Sequence, residues 1–202
     1  LTIYGVNSIT QNDGKLLVRI YSGDWYNNLF NTHIARINTN GTLDTTFGVN
    51  GYFTYHNTDV FGTENLRFNT RILLGYLNTG IYFYALSATN EVQLVKLTMN
   101  GVIDASFGIN GKLLLLSAAV YPNITYSDLK ETPDSKFLLV KTEFNSVSDY
   151  ASYHIEKRDE AGLLDTTFAT NGVFTRYLPL WRLRSSQLKV FPDGKILVLE
   201  IR

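Results

Sequence analysis

Apolar residues along the chain fall into short runs of four to eight, rich in Val, Ile, Leu, Thr, Tyr and Phe and separated by turn residues. Runs of this length and composition are typical of β-strands. Asp13-Gly14 and Asp193-Gly194 each separate two such runs, and these dipeptides tolerate the positive φ of tight hairpin turns. No stretch of a dozen residues has the apolar spacing of an amphipathic helix. The pattern predicts an all-β chain of many short antiparallel strands.

The chain also repeats itself. The pattern Gly-x-Leu/Ile-Asp-x-x-Phe-Gly/Ala-x-Asn-Gly, here named the long motif, occurs at residues 41–51, 101–111 and 162–172. A basic residue stands five positions before each copy, at Arg36, Lys96 and Lys157. A turn motif related to Asp-Gly-Lys precedes a strand at residues 12–18, 133–140 and 192–198, with a degenerate copy at residues 78–84. A period of about 60 residues predicts stacked, similar structural units.

Each repeat is predicted to supply four strands: two around the turn motif, one at the basic residue and one after the long motif. Four antiparallel strands per period are the signature of a propeller blade. The expected fold is therefore all-β, with antiparallel four-stranded blades of about 60 residues in a β-propeller or partial propeller.

The strand count bears on domain organisation. Residues 1–202 are predicted to form a single repeat domain of about three and a half blades, whereas closed propellers have about four to eight. We therefore expect a piece of a larger protein or assembly. Further blades or a partner should cover the sheet edges at residues 195–201 and 3–9, because exposed edges are rarely left open.

Composition narrows the function classes. Eighteen basic residues balance eighteen acidic ones, which argues against a nucleic-acid partner. The chain has no cysteine, which excludes disulfides and thiolate chemistry. The longest apolar run, residues 113–120, is far shorter than a membrane span, so none is predicted.

The Asp of the long motif is interpreted as structural. A short acidic side chain can accept hydrogen bonds from backbone amides two or three residues later, and a role repeated in every blade does not suit a single active site. The alternative is a calcium loop at residues 38–44, but the ligand positions differ in the other copies. No metal, cofactor or catalytic residue is predicted. The structural repeat residues are Asp44, Phe47, Gly51, Asp104, Phe107, Gly111, Asp165, Phe168 and Gly172.

Binding residues are sought where the repeats differ. Aromatic and amide side chains on loops that do not repeat can give a scaffold its own contact surface, although plugs against a neighbouring domain explain them equally well. The predicted binding residues are Trp25, Tyr26, Asn27, Asn28, Tyr177 and Trp181.

The turn motif, the basic strand and the long motif together resemble the delta-60 repeat, a bacterial repeat of β-propeller type. The sequence departs from the pattern at Ala169 and at Thr79-Gly80. The resemblance implies a secreted or surface protein, located outside the cell, and brings no catalytic residues.

The expected function is a non-catalytic binding or adhesion module of an exported bacterial surface protein, with a protein or glycan partner at its loops or sheet edges. Two alternatives stay open: a secreted enzyme acting on polysaccharide or peptide at the propeller axis, and a structural subunit of a secretion or motility assembly. Glu64, Glu91, Asp128, Glu131 and Glu143 are the acids available to an enzyme.

Overall fold

The computed structural model describes residues 2–24, 29–57, 74–86, 91–116, 124–145, 150–179 and 185–201. These residues form fourteen β-strands, and their regular secondary structure is otherwise limited to turns and isolated bridges. The predicted all-β class and the four strands per repeat are confirmed.

The first sheet consists of β1 (Thr2–Thr10), β2 (Leu16–Asp24), β3 (Leu29–Ile37) and β4 (Tyr52–Asn57). The second consists of β5 (Leu74–Leu77), β6 (Gly80–Leu86), β7 (Val92–Leu97) and β8 (Lys112–Leu116). The third consists of β9 (Ile124–Glu131), β10 (Phe137–Asn145), β11 (Tyr150–Arg158) and β12 (Val173–Pro179). The last described strands, β13 (Ser185–Val190) and β14 (Ile196–Ile201), form a two-stranded sheet. Each sheet has its strands in chain order, every neighbour antiparallel.

The hairpin turns follow the turn motif. Gly14 and Gly194 have φ of 82° and 81°, as the Asp-Gly dipeptides require. Ser135 occupies the same position in the third repeat, with φ of 60°. In the second repeat Leu77 pairs with Gly80, so the degenerate copy makes a two-residue turn.

The strands group into two compact units, β1 to β8 and β9 to β14. In the first unit one hydrophobic cluster joins the facing sides of its two sheets, through Leu17, Ile34, Phe47, Ile81, Phe83, Ala85, Val95 and Leu97. In the second unit the third sheet packs on the last hairpin, through Leu138, Val140, Ala151, Tyr153, Ile155, Leu178 and Leu188. Within each unit, successive sheets therefore bury their faces against one another.

No stretch of the described chain forms a helix that could cross a membrane.

Candidate functional site

The long motif folds into the same loop in all three repeats. The backbone N–H of Asp44 donates to the carbonyl of Arg36 at 2.8 Å, and the N–H of Gly51 donates to the carbonyl of Phe47 at 2.9 Å. The other two copies repeat both bonds at 2.8 to 3.0 Å. Asn50 and Gly51 both have positive φ, 54° and 93°, which the Asn-Gly pair allows. The motif is thus a compact loop that is hydrogen-bonded to the third strand of its sheet.

The carboxylate of Asp44 is buried at the centre of the first loop. Its Oδ1 accepts the N–H and the hydroxyl of Thr46 at 3.1 and 2.6 Å. Its Oδ2 accepts Lys15 Nζ at 2.8 Å and Arg36 Nε at 2.7 Å. The hydrogen bonds from Lys15, Thr46 and Arg36 hold the pKa of Asp44 well below its ordinary value. These contacts tie the hairpin turn, the third strand and the loop together.

Asp165 occupies the same position in the third repeat. Lys136 Nζ donates to its Oδ2 at 2.8 Å, and the N–H of Thr167 donates to its Oδ1 at 3.2 Å. Lys157 Nζ lies 3.6 Å from the same Oδ2. The bonds from Lys136 and Thr167 hold the pKa of Asp165 well below its ordinary value. The third repeat therefore rebuilds the arrangement of the first with lysines.

The second repeat is the variant copy. Its short turn carries no lysine, and Asp104 is paired with Lys96 at 2.9 Å and with Ser106. The hydrogen bonds from Ser106 and Lys96 lower the pKa of Asp104, although its partial burial opposes them. Lys96 Nζ also lies 5.8 Å from the Tyr82 ring centroid and 5.9 Å from that of Phe107. Aromatic faces thus surround the lysine that pairs with Asp104.

Sequence reasoning missed the turn lysines as partners of these carboxylates. Lys15 precedes Asp44 by 29 residues, and Lys136 precedes Asp165 by the same number. The second repeat lacks a lysine at this position. This shared spacing was the available signal, but only the folded chain shows that the two positions meet.

Consecutive loops in the first unit are joined directly. Phe47 is fully buried, and a Cβ built on Gly101 would lie 2.7 Å from its ring, so only glycine fits there. The N–H of Gly48 donates to the carbonyl of Asn100 at 2.8 Å. Arg36 Nη1 donates to the carbonyl of Met99 at 2.7 Å. The first and second long motifs therefore form one continuous strip of loop.

This strip exposes apolar side chains. Val49 is 76% exposed, Val102 is 58% exposed and Ile109 is 80% exposed, and we name these three residues the apolar loop edge. Val49 and Ile109 occupy the same position of the long motif, whereas the third copy has Thr170 there. Large apolar groups on solvent-facing loops are candidates for contact with another protein.

Two histidines also occupy equivalent places. His33 pairs across the sheet with Thr54, and its Nδ1 lies 3.1 Å from the Thr54 hydroxyl. His154 pairs with Thr175 in the same way at 2.9 Å. Burial lowers the pKa of both histidines, aided by His56 near His33 and by Lys141 near His154. Their equivalence follows from the repeat.

In the calcium alternative, side chains of residues 38–44 would be the ligands, and several of them form hydrogen bonds within this loop. Asn40 Oδ1 accepts the N–H and hydroxyl of Thr42, and Asn38 Nδ2 donates to the same hydroxyl. Within the described residues, no three His, Asp or Glu side chains are arranged to hold a metal ion.

Most of the predicted binding residues lie outside the described part of the chain: Trp25, Tyr26, Asn27, Asn28 and Trp181. Tyr177 is described. It lies on β12 opposite Ser152, and it is one of the exposed large side chains. Its role in binding stays a prediction.

Comparisons with known proteins find a family model and a solved structure that are similar to this chain. A family model described as "Domain of unknown function (DUF5122) beta-propeller" matches residues 11–47, from the first hairpin turn to the Phe of the first long motif. The WD40 domain of SCAP from fission yeast is similar in structure, with 10% sequence identity and a TM-score of 0.36. That similarity covers 94% of this chain, which spans 56% of the length of the yeast domain. The search of curated proteins finds no significant match.

The family match and the observed sheets agree. The chain is all-β, built from antiparallel four-stranded blades of a β-propeller-like repeat, and it has the strands of a partial propeller. Loops at the ends of propeller blades can vary without disturbing the sheets.

Proposed function

We propose that this chain is a non-catalytic protein-binding module and that the apolar loop edge is a contact surface for its partner. The observation that carries the proposal is the exposure of Val49, Val102 and Ile109 on adjoining loops. Burying such side chains against an apolar partner removes nonpolar surface from water, which stabilises a complex by about 25 cal/mol per Å² before the costs of association.

The rigidity of the loops supports the same function. The Val49 loop is held by the carboxylate of Asp44 and by the ring of Phe47, and it is bonded to the next loop through Gly48. A contact surface that is already ordered loses little conformational entropy on binding. An apolar edge also favours a protein partner over a glycan, because sugars need hydrogen-bonding side chains.

The described acids favour binding over catalysis. Glu131, at the end of β9, pairs with Phe137 at the start of β10. Glu143 lies six residues after Phe137 on β10, which places the two acids about 20 Å apart. The carboxylate of Asp128 accepts hydrogen bonds from the backbone N–H groups of Leu129 and Leu188. Glu91 lies in the other unit, and Glu64 is outside the described residues. Acid–base catalysis needs groups within reach of one substrate bond, and Glu131 and Glu143 are too far apart to act together on one.

We further propose that the module acts outside the cell, as an adhesion part of an exported bacterial surface protein. The resemblance of its repeats to the delta-60 repeat supports this location. Protease treatment of intact cells of the source organism tests it: a surface protein is cleaved while an internal marker protein stays whole.

Site-specific photo-crosslinking tests the binding surface. A photoreactive phenylalanine analogue is placed at position 49 or 109 of the full protein in cells of the source organism. We expect both positions to crosslink to the same partner protein, because both lie on the apolar loop edge.

Position 170 provides the matched control. It occupies the same place in the third copy of the loop but carries Thr170, so the analogue there should give little of that crosslink. Equal crosslinking from all three positions, or none from 49 and 109, would contradict the proposed surface. The substitution V49D should also abolish the crosslink from position 109 while leaving the far-ultraviolet circular dichroism unchanged.

A further inference from the structure

Each copy of the long motif ends in an Asn-Gly pair: Asn50-Gly51, Asn110-Gly111 and Asn171-Gly172. In an unfolded chain this dipeptide deamidates spontaneously, because glycine has no side chain to keep its backbone nitrogen away from the asparagine amide. The glycine nitrogen attacks the side-chain carbonyl carbon, ammonia leaves, and a cyclic succinimide forms. Water then opens the ring to aspartate or isoaspartate. The reaction consumes only water, so the loop geometry determines its rate.

The asparagine that reacts is open to water in all three loops. Asn50, Asn110 and Asn171 are exposed residues. Their φ angles of 54°, 52° and 51° show that each copy makes the same left-handed turn. Access of water to the asparagine therefore does not limit the reaction.

The attacking nitrogen, in contrast, is held in a hydrogen bond. The N–H of Gly51 donates to the carbonyl of Phe47 at 2.9 Å, and the equivalent glycines of the second and third copies make the same bond at 2.9 and 2.8 Å. To close the succinimide ring, this peptide unit must turn toward the asparagine side chain. That movement breaks the hydrogen bond from the nitrogen that must attack.

Packing around the glycine opposes the same movement. Gly51 is buried, and a Cβ built on it would lie 2.6 Å from Cγ of Leu43. Gly111 is buried against Ile103 in the same way. The peptide unit therefore has no room to turn while the loop stays closed.

We infer that Asn50 and Asn110 are latent deamidation sites, each of which reacts only when its own long-motif loop opens. Local opening of this kind breaks a few hydrogen bonds without unfolding the chain. The product keeps a record of the opening, because isoaspartate lengthens the backbone of the loop. The turn that places Gly51 against Leu43 then does not re-form.

The carboxylate of each motif holds its loop closed. Asp44 pairs with Lys15 at 2.8 Å and with Arg36 at 2.7 Å. Asp104 pairs with Lys96 at 2.9 Å. Both carboxylates also accept the backbone N–H two residues later in their own loop. Because the two loops have separate carboxylates, each opens with its own equilibrium.

Peptide mapping by mass spectrometry measures both sites in the same molecule. The full chain is incubated at neutral pH, and the aspartate and isoaspartate forms at positions 50 and 110 are quantified over time. The same chain unfolded in urea gives the reference rate. We expect both sites to react at least about a hundredfold more slowly in the folded chain, because only the open fraction of each loop reacts.

Two reciprocal variants separate the loops. Asp44→Asn removes the charge at the centre of the first loop, and it should accelerate the reaction of Asn50 by about tenfold or more while leaving that of Asn110 nearly unchanged. Asp104→Asn should do the reverse. In each variant the amide of the following glycine should exchange its hydrogen faster by the same factor, because one opening frees both groups.

A milder variant keeps the test decisive if Asp44→Asn unfolds the chain, which circular dichroism would show. Thr46→Val removes one hydroxyl donor of the Asp44 carboxylate, at 2.6 Å. It should accelerate the reaction of Asn50 alone, by a smaller factor than Asp44→Asn.

The inference is overturned by equal rates in the folded and unfolded chains. It is also overturned if a folded variant accelerates both sites equally, or if no folded variant accelerates either site. Faster deamidation without faster exchange of the glycine amide would likewise show that opening of the loop does not control the reaction.

Discussion

One backbone position in the loop distinguishes the third repeat at the scale of single residues. Gly48 and Gly108 have φ of 54° and 53°, and Ala169 holds the same left-handed conformation with φ of 45°. The backbone N–H of the following residue donates a hydrogen bond across the loop. This bond is 2.7 Å long for Val49 and 2.8 Å for Ile109, but 3.3 Å for Thr170. A Cβ on Gly48 would lie 2.2 Å from the carbonyl oxygen of Tyr52. The alanine is therefore accommodated by a wider loop.

Replacing this alanine tests the strain. We expect Ala169→Gly to raise the free energy of unfolding by about 0.5–1 kcal/mol, because relief of the left-handed conformation exceeds the entropy that glycine adds to the unfolded chain. The reverse change, Gly48→Ala, should lower it by about 1–3 kcal/mol. Urea unfolding followed by fluorescence measures both. A lower midpoint for Ala169→Gly would show that the third loop is relaxed.

Asp128 shows how one side chain connects two elements. It lies on β9, and its Oδ2 accepts the backbone N–H of Leu188 on β13 at 2.8 Å. Its Oδ1 accepts the N–H of Leu129 and the ammonium of Lys130, each at 2.9 Å. The carboxylate thereby connects the last hairpin to the third sheet through a buried hydrogen bond. The sequence does not predict this contact, because Leu188 is 60 residues away from Asp128 along the chain.

We expect Asp128→Ala to loosen the β13–β14 hairpin. The N–H of Leu188 loses its acceptor, and a buried donor without a partner costs about 1–3 kcal/mol. Hydrogen exchange of the Leu188 amide should accelerate accordingly. The control Lys130→Ala removes only a half-exposed ion pair, which contributes little, and should leave that exchange nearly unchanged. Equal acceleration in both variants would assign the effect to the ion pair.

At the scale of the whole molecule, the repeated carboxylates couple stability to pH. The pKa values of Asp44, Asp104 and Asp165 all lie below their ordinary range in the folded chain. In the unfolded chain the pKa of an Asp is about 3.9. The folded state therefore binds fewer protons, so the stability from these groups is present above about pH 4 and is lost as the pH falls further.

Urea unfolding at a series of pH values measures this coupling. We expect the midpoint to drop steeply below about pH 4, and the double variant Asp44→Asn/Asp165→Asn to drop less steeply there while being less stable at pH 7. His33 and His154 act in a separate window. Because their pKa values are lowered, acid favours unfolding through them already below about pH 6.5. An unchanged slope below pH 4 in the double variant would contradict the role of the carboxylates.

The sequence by itself determined the local features: the strands, the hairpin turns and the repeat. Apolar runs bounded by Asp-Gly and Asn-Gly predict strands and turns because these preferences act between neighbouring residues. The Asp of the long motif accepts the N–H two residues later for the same reason, and Asp44 and Thr46 show it. The 60-residue period then carries each local feature into every blade.

Only the tertiary structure decided which distant residues meet. Lys15 reaches Asp44, and Asn100 accepts a bond from Gly48, because sheet pairing and sheet stacking bring these positions together. Exposure depends on the same packing. Phe47 and Phe168 share one motif, yet only Phe47 is fully covered, since burial is set by the neighbouring loop and not by the residue's own sequence.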